Sequence, residues 1–272
     1  MKTIILGGSH PRHLHYLNAV ASHPAVDLVA AAIQKRETML PRPPDNIDPH
    51  DRELFVRHFS YRDAKEAQYF GAPEAEFEAR RIDHGELNAY HLRAWLYDVC
   101  PDPDLVIVFG CGMIGDKLMD QLGDRTINLH LGLSPRYRGA ATLFWPQYFL
   151  EPQWAGTTFH QIVHEPDAGP ILHQSQPGLF KGDTLHDVSC RAVRQATADM
   201  LTLLDTFDGW TFRAQRNTGK CFLERDFQPA HLRMIYDVWD DRIVDAYMDG
   251  VIGGREPKLY RANVSAKEKV KA

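Results

Sequence analysis

One run in this chain places side chains that move protons and polarise carbonyls at a spacing that lets them meet. Ile127-Asn128-Leu129-His130 ends an apolar segment, Arg125 to Leu129. In an extended chain residues two apart project to one face, so the Asn128 amide and the His130 imidazole converge. An amide N–H stabilises a developing oxyanion, and an imidazole exchanges protons near neutral pH. Leu131-Gly132-Leu133-Ser134-Pro135-Arg136-Tyr137-Arg138-Gly139 follows, where Pro135 and Gly139 end regular structure and turn the chain over the strand end. Open α/β sheets place their ligands at such ends. A carboxylate then stands in a second turn, Pro166-Asp167-Ala168-Gly169, after another apolar strand. Singly, Asn128 reads equally well as a loop-bonding residue and Asp167 as an ordinary turn residue. Together they form one pocket if the fold returns the second turn to the first.

The elements that must position them alternate. Thr3 to Leu6 reads as a buried strand, Gly7-Gly8-Ser9 as a turn, and Arg12 to Ser22 as a helix with Leu14, Leu17 and Val20 at helical spacing. Asp27 to Ile33 is a second strand, rich in Val and Ala as for a sheet covered on both faces. Strand, helix, strand implies a parallel unit with a right-handed crossover. Leu105 to Phe109, after Pro101-Asp102-Pro103, is expected as the third strand and Ile127 to Leu129 as the next. The predicted fold is α/β, an open, mostly parallel Rossmann-like sheet with helices on both faces and a smaller C-terminal extension.

Residues 41–80 are expected to form an excursion beside the sheet. Pro41-Arg42-Pro43-Pro44 through Pro49 cannot be helical. Asp51 then caps a polar helix to about Phe70, whose Arg52, Arg57, Tyr61, Arg62 and Lys65 suit either an acceptor-side lid or a solvated helix face. Asn88 to Val99 reads as a further helix. Thr158 to Val163 and Pro170 to Gln176 read as strands, and Asp183 to Phe207 as a long helix with Val188, Ala192 and Ala196 facing inward. A strand-like piece around Cys221 to Leu223, a helix from Pro229 to Met248 and a basic tail at Lys267, Lys269 and Lys271, expected to be disordered, complete the chain. A catalytic domain over 1–208 and an extension over 209–272 are the expected division.

Composition bounds the function. The 272 residues are 44% hydrophobic and 25% charged, enough for a full core in a soluble protein. A net charge of −5 and a pI near 6.3 disfavour a broadly basic nucleic-acid surface. No run approaches the ~18 apolar residues of a membrane span and no secretory leader is evident, so a cytoplasmic location is expected. Cys100, Cys111, Cys190 and Cys221 are scattered, as for buried thiols in a reducing compartment. Among the 14 histidines, His13-x-His15 and His160/His164 have metal-like spacing but lack a third ligand, so no metal is expected and hydrogen-bonded or exposed histidines are the reading.

Asn-x-His, the Pro-Arg-Tyr-Arg-Gly turn, Gly156-Thr157-Thr158-Phe159-His160 and Asp167-Ala168-Gly169-Pro170-Ile171-Leu172 together resemble the formyltransferases that use 10-formyltetrahydrofolate. That family includes glycinamide ribonucleotide, methionyl-tRNA and nucleotide-sugar N-formyltransferases. The likeness spans residues 104–178 and differs in one place, since relatives commonly carry Ser-Leu-Leu-Pro where this chain has Leu131-Gly132-Leu133-Ser134-Pro135. It implies formyl transfer from 10-formyltetrahydrofolate to a primary amine of a small molecule. Because the Gly7-Gly8-Ser9 loop departs from the purine-pathway pattern and residues 41–80 are extra, a nucleotide-linked amino sugar or another amine metabolite is preferred over glycinamide ribonucleotide. Release of formate to water and a methionyl-tRNA acceptor are the alternatives. A homodimer is compatible with this reading, and a membrane or nucleic-acid partner is not expected.

The resemblance makes Asn128, His130 and Asp167 catalytic. Asn128 would donate to the oxyanion, His130 would be favoured in its protonated form by the Asp167 carboxylate, and either His130 or Asp167 would be the general base. Phe109, Cys111, Gly112, Met113 and Ile114, in a strand-to-helix loop offering backbone donors, acceptors and apolar side chains, would hold the pterin, with His164 and Glu165 closing the other side. Gly7-Gly8-Ser9 is not a full dinucleotide fingerprint. Opening a helix, it suits an acceptor anion, so Gly8, Ser9, His10 and Arg12, with Tyr137 and Arg138, are the expected substrate-binding residues.

Overall fold

The structure is a computed structural model that describes residues 1–216 and 219–262. A seven-stranded sheet runs through it in the order β3-β2-β1-β4-β5-β7-β8, built from β1 (Lys2–Gly8), β2 (Asp27–Gln34), β3 (Arg80–Ile82), β4 (Leu105–Phe109), β5 (Thr126–His130), β7 (Thr157–Gln161) and β8 (Ile171–Ser175). The first five are parallel, β7 runs antiparallel to β5, and β8 runs antiparallel to β7. Because β1, β4 and β5 are parallel and in register, their C-terminal ends at Gly8, Phe109 and His130 lie along one edge of the sheet. That edge holds the site.

Strand side chains alternate between two cores. Ile5, Ile107, Ile127 and Leu129 pack with α1 (Pro11–Ala21) and α6 (Leu185–Leu204), while Ile4, Leu6, Val106 and Val108 pack with α3 (Tyr90–Val99) and α4 (Asp116–Leu122). α6 starts at a capping box in which Thr184 and Asp187 satisfy each other's backbone N–H groups. Among the described residues no helix is long and apolar enough to cross a membrane.

Four expectations need correction. β1 continues through Gly7 and Gly8, pairing with Ile33 and Gln34, so the chain turns only at Ser9. β3 intervenes before Leu105–Phe109, which is therefore the fourth strand; three residues, two of them exposed, carry no readable alternation. α2 (Pro49–Phe70) is capped by Asp48, whose side chain accepts from the N–H groups of His50 and Asp51 and leaves Pro49 at the first helical position. Asp51 instead lies buried in the first turn, bonded to Arg233 at 2.5 Å. The helix expected over 229–248 is broken into a 3-10 turn at Pro229–His231, a π turn at Met234–Val238 and α7 (Ile243–Met248). Asp240 and Asp241, with φ of 45° and 55°, take a left-handed conformation that no right-handed helix continues through. The basic tail at Lys267, Lys269 and Lys271 lies outside the described residues.

The two segments that alternation leaves unassigned pack on each other. Leu54 and Phe55 of α2 share a cluster with Ile235, Tyr236 and Ile243 and with Tyr137, Phe144 and Phe222, and His58 bonds the Tyr236 hydroxyl at 2.9 Å. β9 (Lys220–Phe222) pairs with β6 (Tyr137–Gly139), the short strand that follows His130. Residues on both sides of the sheet sequence thus form one roof over the end of β5. Phe55→Ala should destabilise the protein by about 3 kcal/mol in urea unfolding, as expected for emptying a buried aromatic site. A change below about 1 kcal/mol would show the roof to be loosely packed.

Candidate active site

The centre of the site is the carboxylate of Asp167. Its Oδ2 lies 3.2 Å from His130 Nδ1 and accepts the Gly139 N–H at 2.8 Å, while its Oδ1 lies 3.3 Å from His160 Nε2. His160 Nε2 is in turn 3.1 Å from the Asn128 side-chain nitrogen. Asn128, His130, Asp167 and His160 therefore form one contiguous group. Strand register explains it: β5 is antiparallel to β7, with Asn128 directly opposite His160 and His130 opposite Thr158. The first three were picked out by spacing. His160 was read as a generic hydrogen-bonded histidine, because nothing in sequence shows which residue of β7 faces Asn128.

Local backbone geometry holds the carboxylate in place. Asp167 has φ of 52°, in the left-handed region that aspartate tolerates better than most side chains. A Cβ on Gly169 would collide with the Gln161 carbonyl, which is why the turn ends in glycine. Gln215, from the C-terminal extension, donates from Nε2 to the carbonyls of Asp167 and Gly169 at 2.9 and 2.6 Å. Gly139 has φ of 86° and offers its N–H to the same carboxylate.

His130 is buried, and its Nε2–H donates to the Tyr137 carbonyl at 2.9 Å. With that proton on Nε2, the nitrogen facing Asp167 is the basic one. Burial lowers the His130 pKa from its ordinary 6.5 and outweighs the opposing pull of Asp167. The expected protonated resting form is therefore corrected: His130 rests neutral. Burial also opposes ionisation of Asp167, yet His130, His160 and the Gly139 N–H together hold its carboxyl well below the usual range. A neutral imidazole backed by an ionised carboxylate is an arrangement that accepts a proton.

His130 also lines a cavity of about 430 Å³. Its wall includes Leu131, Gly139 to Phe144, residues of α6 and one face of α2, with Arg12 at one side. Of the substrate-binding residues expected near β1, Arg12 alone reaches this cavity. Gly8 packs its backbone against the Gly110 carbonyl, Ser9 accepts the Arg36 N–H at 2.9 Å, and His10 and His13 stack with their pKa values lowered by burial. Tyr137 turns its hydroxyl to Glu151, and Arg138 is buried with Nη1 on Glu165 at 2.8 Å.

The loop after β4 is more open. Phe109 is a core residue, edge-on to His13 and Tyr16, so it can offer only backbone. Burial pushes the Cys111 thiol up to about 12, which leaves it inert as a nucleophile. Gly112 donates its N–H to Gln34 at 2.6 Å, and Met113 is 76% exposed. Ile114 packs on the core below, and across the loop His164 pairs with Asp116 at 3.0 Å.

Comparison with known proteins puts this geometry in context. The family model described as Formyl transferase matches residues 54–204. Among solved structures the chain is similar to phosphoribosylglycinamide formyltransferase from Anaplasma phagocytophilum, at 18% identity and TM-score 0.53 over 82% of this chain and 98% of that one. It is similar to a sugar N-formyltransferase from a Shewanella species at 18% identity and TM-score 0.54, over 86% of this chain and 87% of that one. A third, an N-formyltransferase from Helicobacter canadensis solved with folinic acid and dTDP-3-aminofucose, matches at 14% identity and TM-score 0.54, over 92% and 82%. At such identities the structural likeness establishes the fold.

The charge states make a prediction about pH. If neutral His130 accepts a proton, activity is present above its folded pKa and is lost as pH falls through it. Since that pKa is lowered, the acid limb of kcat/KM should lie below 6.5. An acid limb at or above 6.5 would contradict the lowered pKa, and activity lost as pH rises through the His130 pKa would mean that His130 works in its charged form.

Proposed function

Because the chain belongs to the formyl transferase family, we propose that it moves the formyl group of 10-formyltetrahydrofolate onto the primary amine of a small acceptor, a nucleotide-linked amino sugar in the finer reading. The observation that carries this is the joining of Asn128, His130, His160 and Asp167 into one contiguous polar group whose His130 lines a cavity.

The reaction needs three things from the protein. As the amine nitrogen bonds to the formyl carbon, the formyl oxygen gains negative charge and the amine becomes acidic. Asn128, held on β5 beside His160, supplies an amide N–H for that oxygen. His130 receives the proton on Nδ1, where Asp167 stabilises the imidazolium that forms, and can return it to the departing folate nitrogen. Holding these groups on rigid strands and a braced turn removes the cost of assembling them during the reaction. The folate supplies the activated formyl group.

The loop after β4 fits a flat ring. A Cβ on Gly112 would make only ordinary contacts with Gln34 and Leu87, so the chain itself places no demand for glycine there. A ring lying on that backbone would. The exposed Met113 offers apolar surface beside it, and His164 and Glu165 border the Asp167 turn. The acceptor then approaches from the cavity next to His130. The Helicobacter relative bound to a dTDP-linked amino sugar supports the finer choice of acceptor.

Two measurements follow. His130→Ala and Asp167→Ala should each lower kcat by roughly 10²–10⁴-fold, the span of a general base, while leaving folded protein that still binds a stable folate analogue. Near-normal turnover in either soluble variant would remove the residue from the mechanism. Gly112→Val should weaken titration of that analogue at least tenfold without loss of folding. Unchanged affinity would put the pterin elsewhere.

A further inference from the structure

The cavity beside His130 closes against α2, and that wall carries charge. His58, Arg62 and Glu66, four residues apart and so on one helix face, line it together with Arg12 of α1 and His186 of α6. Glu66 has a side chain only 3% exposed; Oε1 accepts from Arg12 Nη1 at 2.6 Å, and Oε2 has no partner. Arg62 donates from Nη2 to the Met39 carbonyl at 3.0 Å and lies 4.7 Å over the Phe59 ring. Its Nε has no partner, and among the described residues no carboxylate pairs with it.

The surrounding groups leave that charge uncompensated. Glu66 is taken by Arg12, Glu37 by Arg36 at 3.0 Å, and Asp187 by Lys65 at 2.7 Å. Asp63, the next residue on α2, is not part of the cavity wall, and Glu224 is an exposed residue on its lining. His58 and His186 are buried beside the cluster, and burial lowers both, His186 to about 3, so neither adds charge near neutral pH. Burial and the nearby Arg12 pull Arg62 down to about 10, which still leaves it cationic. Two guanidinium groups thus face one buried carboxylate, with Glu224 exposed at the rim.

Resting on the formyl-transfer reading above, we propose that Arg62 is an acceptor-recognition residue of this enzyme: it receives an anionic group of the acceptor, phosphate or carboxylate, while the free Oε2 of Glu66 accepts from a neighbouring hydroxyl. A guanidinium fork matches both oxyanions, and such a contact discriminates against a neutral analogue. The excursion at 41–80 would then be the part of the chain that selects the amine. About 430 Å³ suits an amino sugar or a hydroxylated amino acid with its anionic group, and a larger acceptor would extend outward.

The test compares the intact enzyme with Arg62→Gln, Arg62→Lys and Glu66→Gln on matched acceptors: an amino sugar, its 1-phosphate and its nucleoside-diphosphate form, and a hydroxylated diamino acid with its carboxamide. The readouts are kcat and KM for formylation, and acceptor-induced thermal stabilisation in the absence of folate donor. Arg62→Gln should reduce the charged-over-neutral ratio of kcat/KM by roughly 10- to 100-fold through KM, with Arg62→Lys recovering part of it. Preference for the phosphates or for the carboxylate identifies which anion is read. Glu66→Gln should raise KM for the hydroxylated members. An unchanged ratio in Arg62→Gln, or equal stabilisation of that variant and the wild type by the charged members, overturns the proposal. If a folate analogue binds but no amine is formylated, the formyl-transfer reading fails, and stabilisation still decides the anion site: charged members protecting wild type and not Arg62→Gln would sustain it.

Discussion

The site depends on how one carboxylate is surrounded. Asp167 is half-buried beside two imidazoles and a backbone N–H, which come from different elements of the chain. His130 ends a parallel strand, His160 stands on the antiparallel strand beside it, and Gly139 ends the short strand β6 that follows His130. An ionised carboxylate in such a place is stable only while all of them stay close, so this grouping depends on the switch from parallel to antiparallel pairing at β5. Moving β7 by one residue would turn His160 away from Asn128 and leave Asp167 without one partner.

A second constraint links the parts that are not sheet. α2 and the C-terminal segments are far apart in sequence, yet Leu54, Phe55 and His58 meet Ile235 and Tyr236 above the end of β5. The same extension braces the Asp167 turn through Gln215. Neither segment is needed to complete the strand and helix alternation. Both line the cavity beside His130, and Gln215 fixes the Asp167 turn, so this side of the protein is a joint product of its two additions.

Much of this was legible in the sequence because it follows from short-range rules. Leu105–Phe109 matches its predicted strand to the residue, since an aliphatic run between Pro103 and Gly110 has few other conformations. The Asn128–His130 spacing and the Asp167 turn come together as the two-residue period and the glycine suggested. What remained hidden depends on tertiary context. His160 becomes significant only through cross-strand register, and the resting charge of His130 is set by how deeply it is buried, which overrode the nearby carboxylate. The break in the 229–248 helix rests on two aspartates taking left-handed backbone, a choice that apolar periodicity does not record.

The central claim is that formyl carbon passes to an amine at the Asn128, His130 and Asp167 group. Its most direct test is to follow the carbon by NMR, using donor labelled with ¹³C at the formyl position and an anion-bearing amino-sugar acceptor. The account predicts a formamide signal that grows in step with tetrahydrofolate release, one for one, and that is lost with Asp167→Ala. Appearance of the label as free formate at a rate indifferent to the amine would contradict it and make the protein a hydrolase.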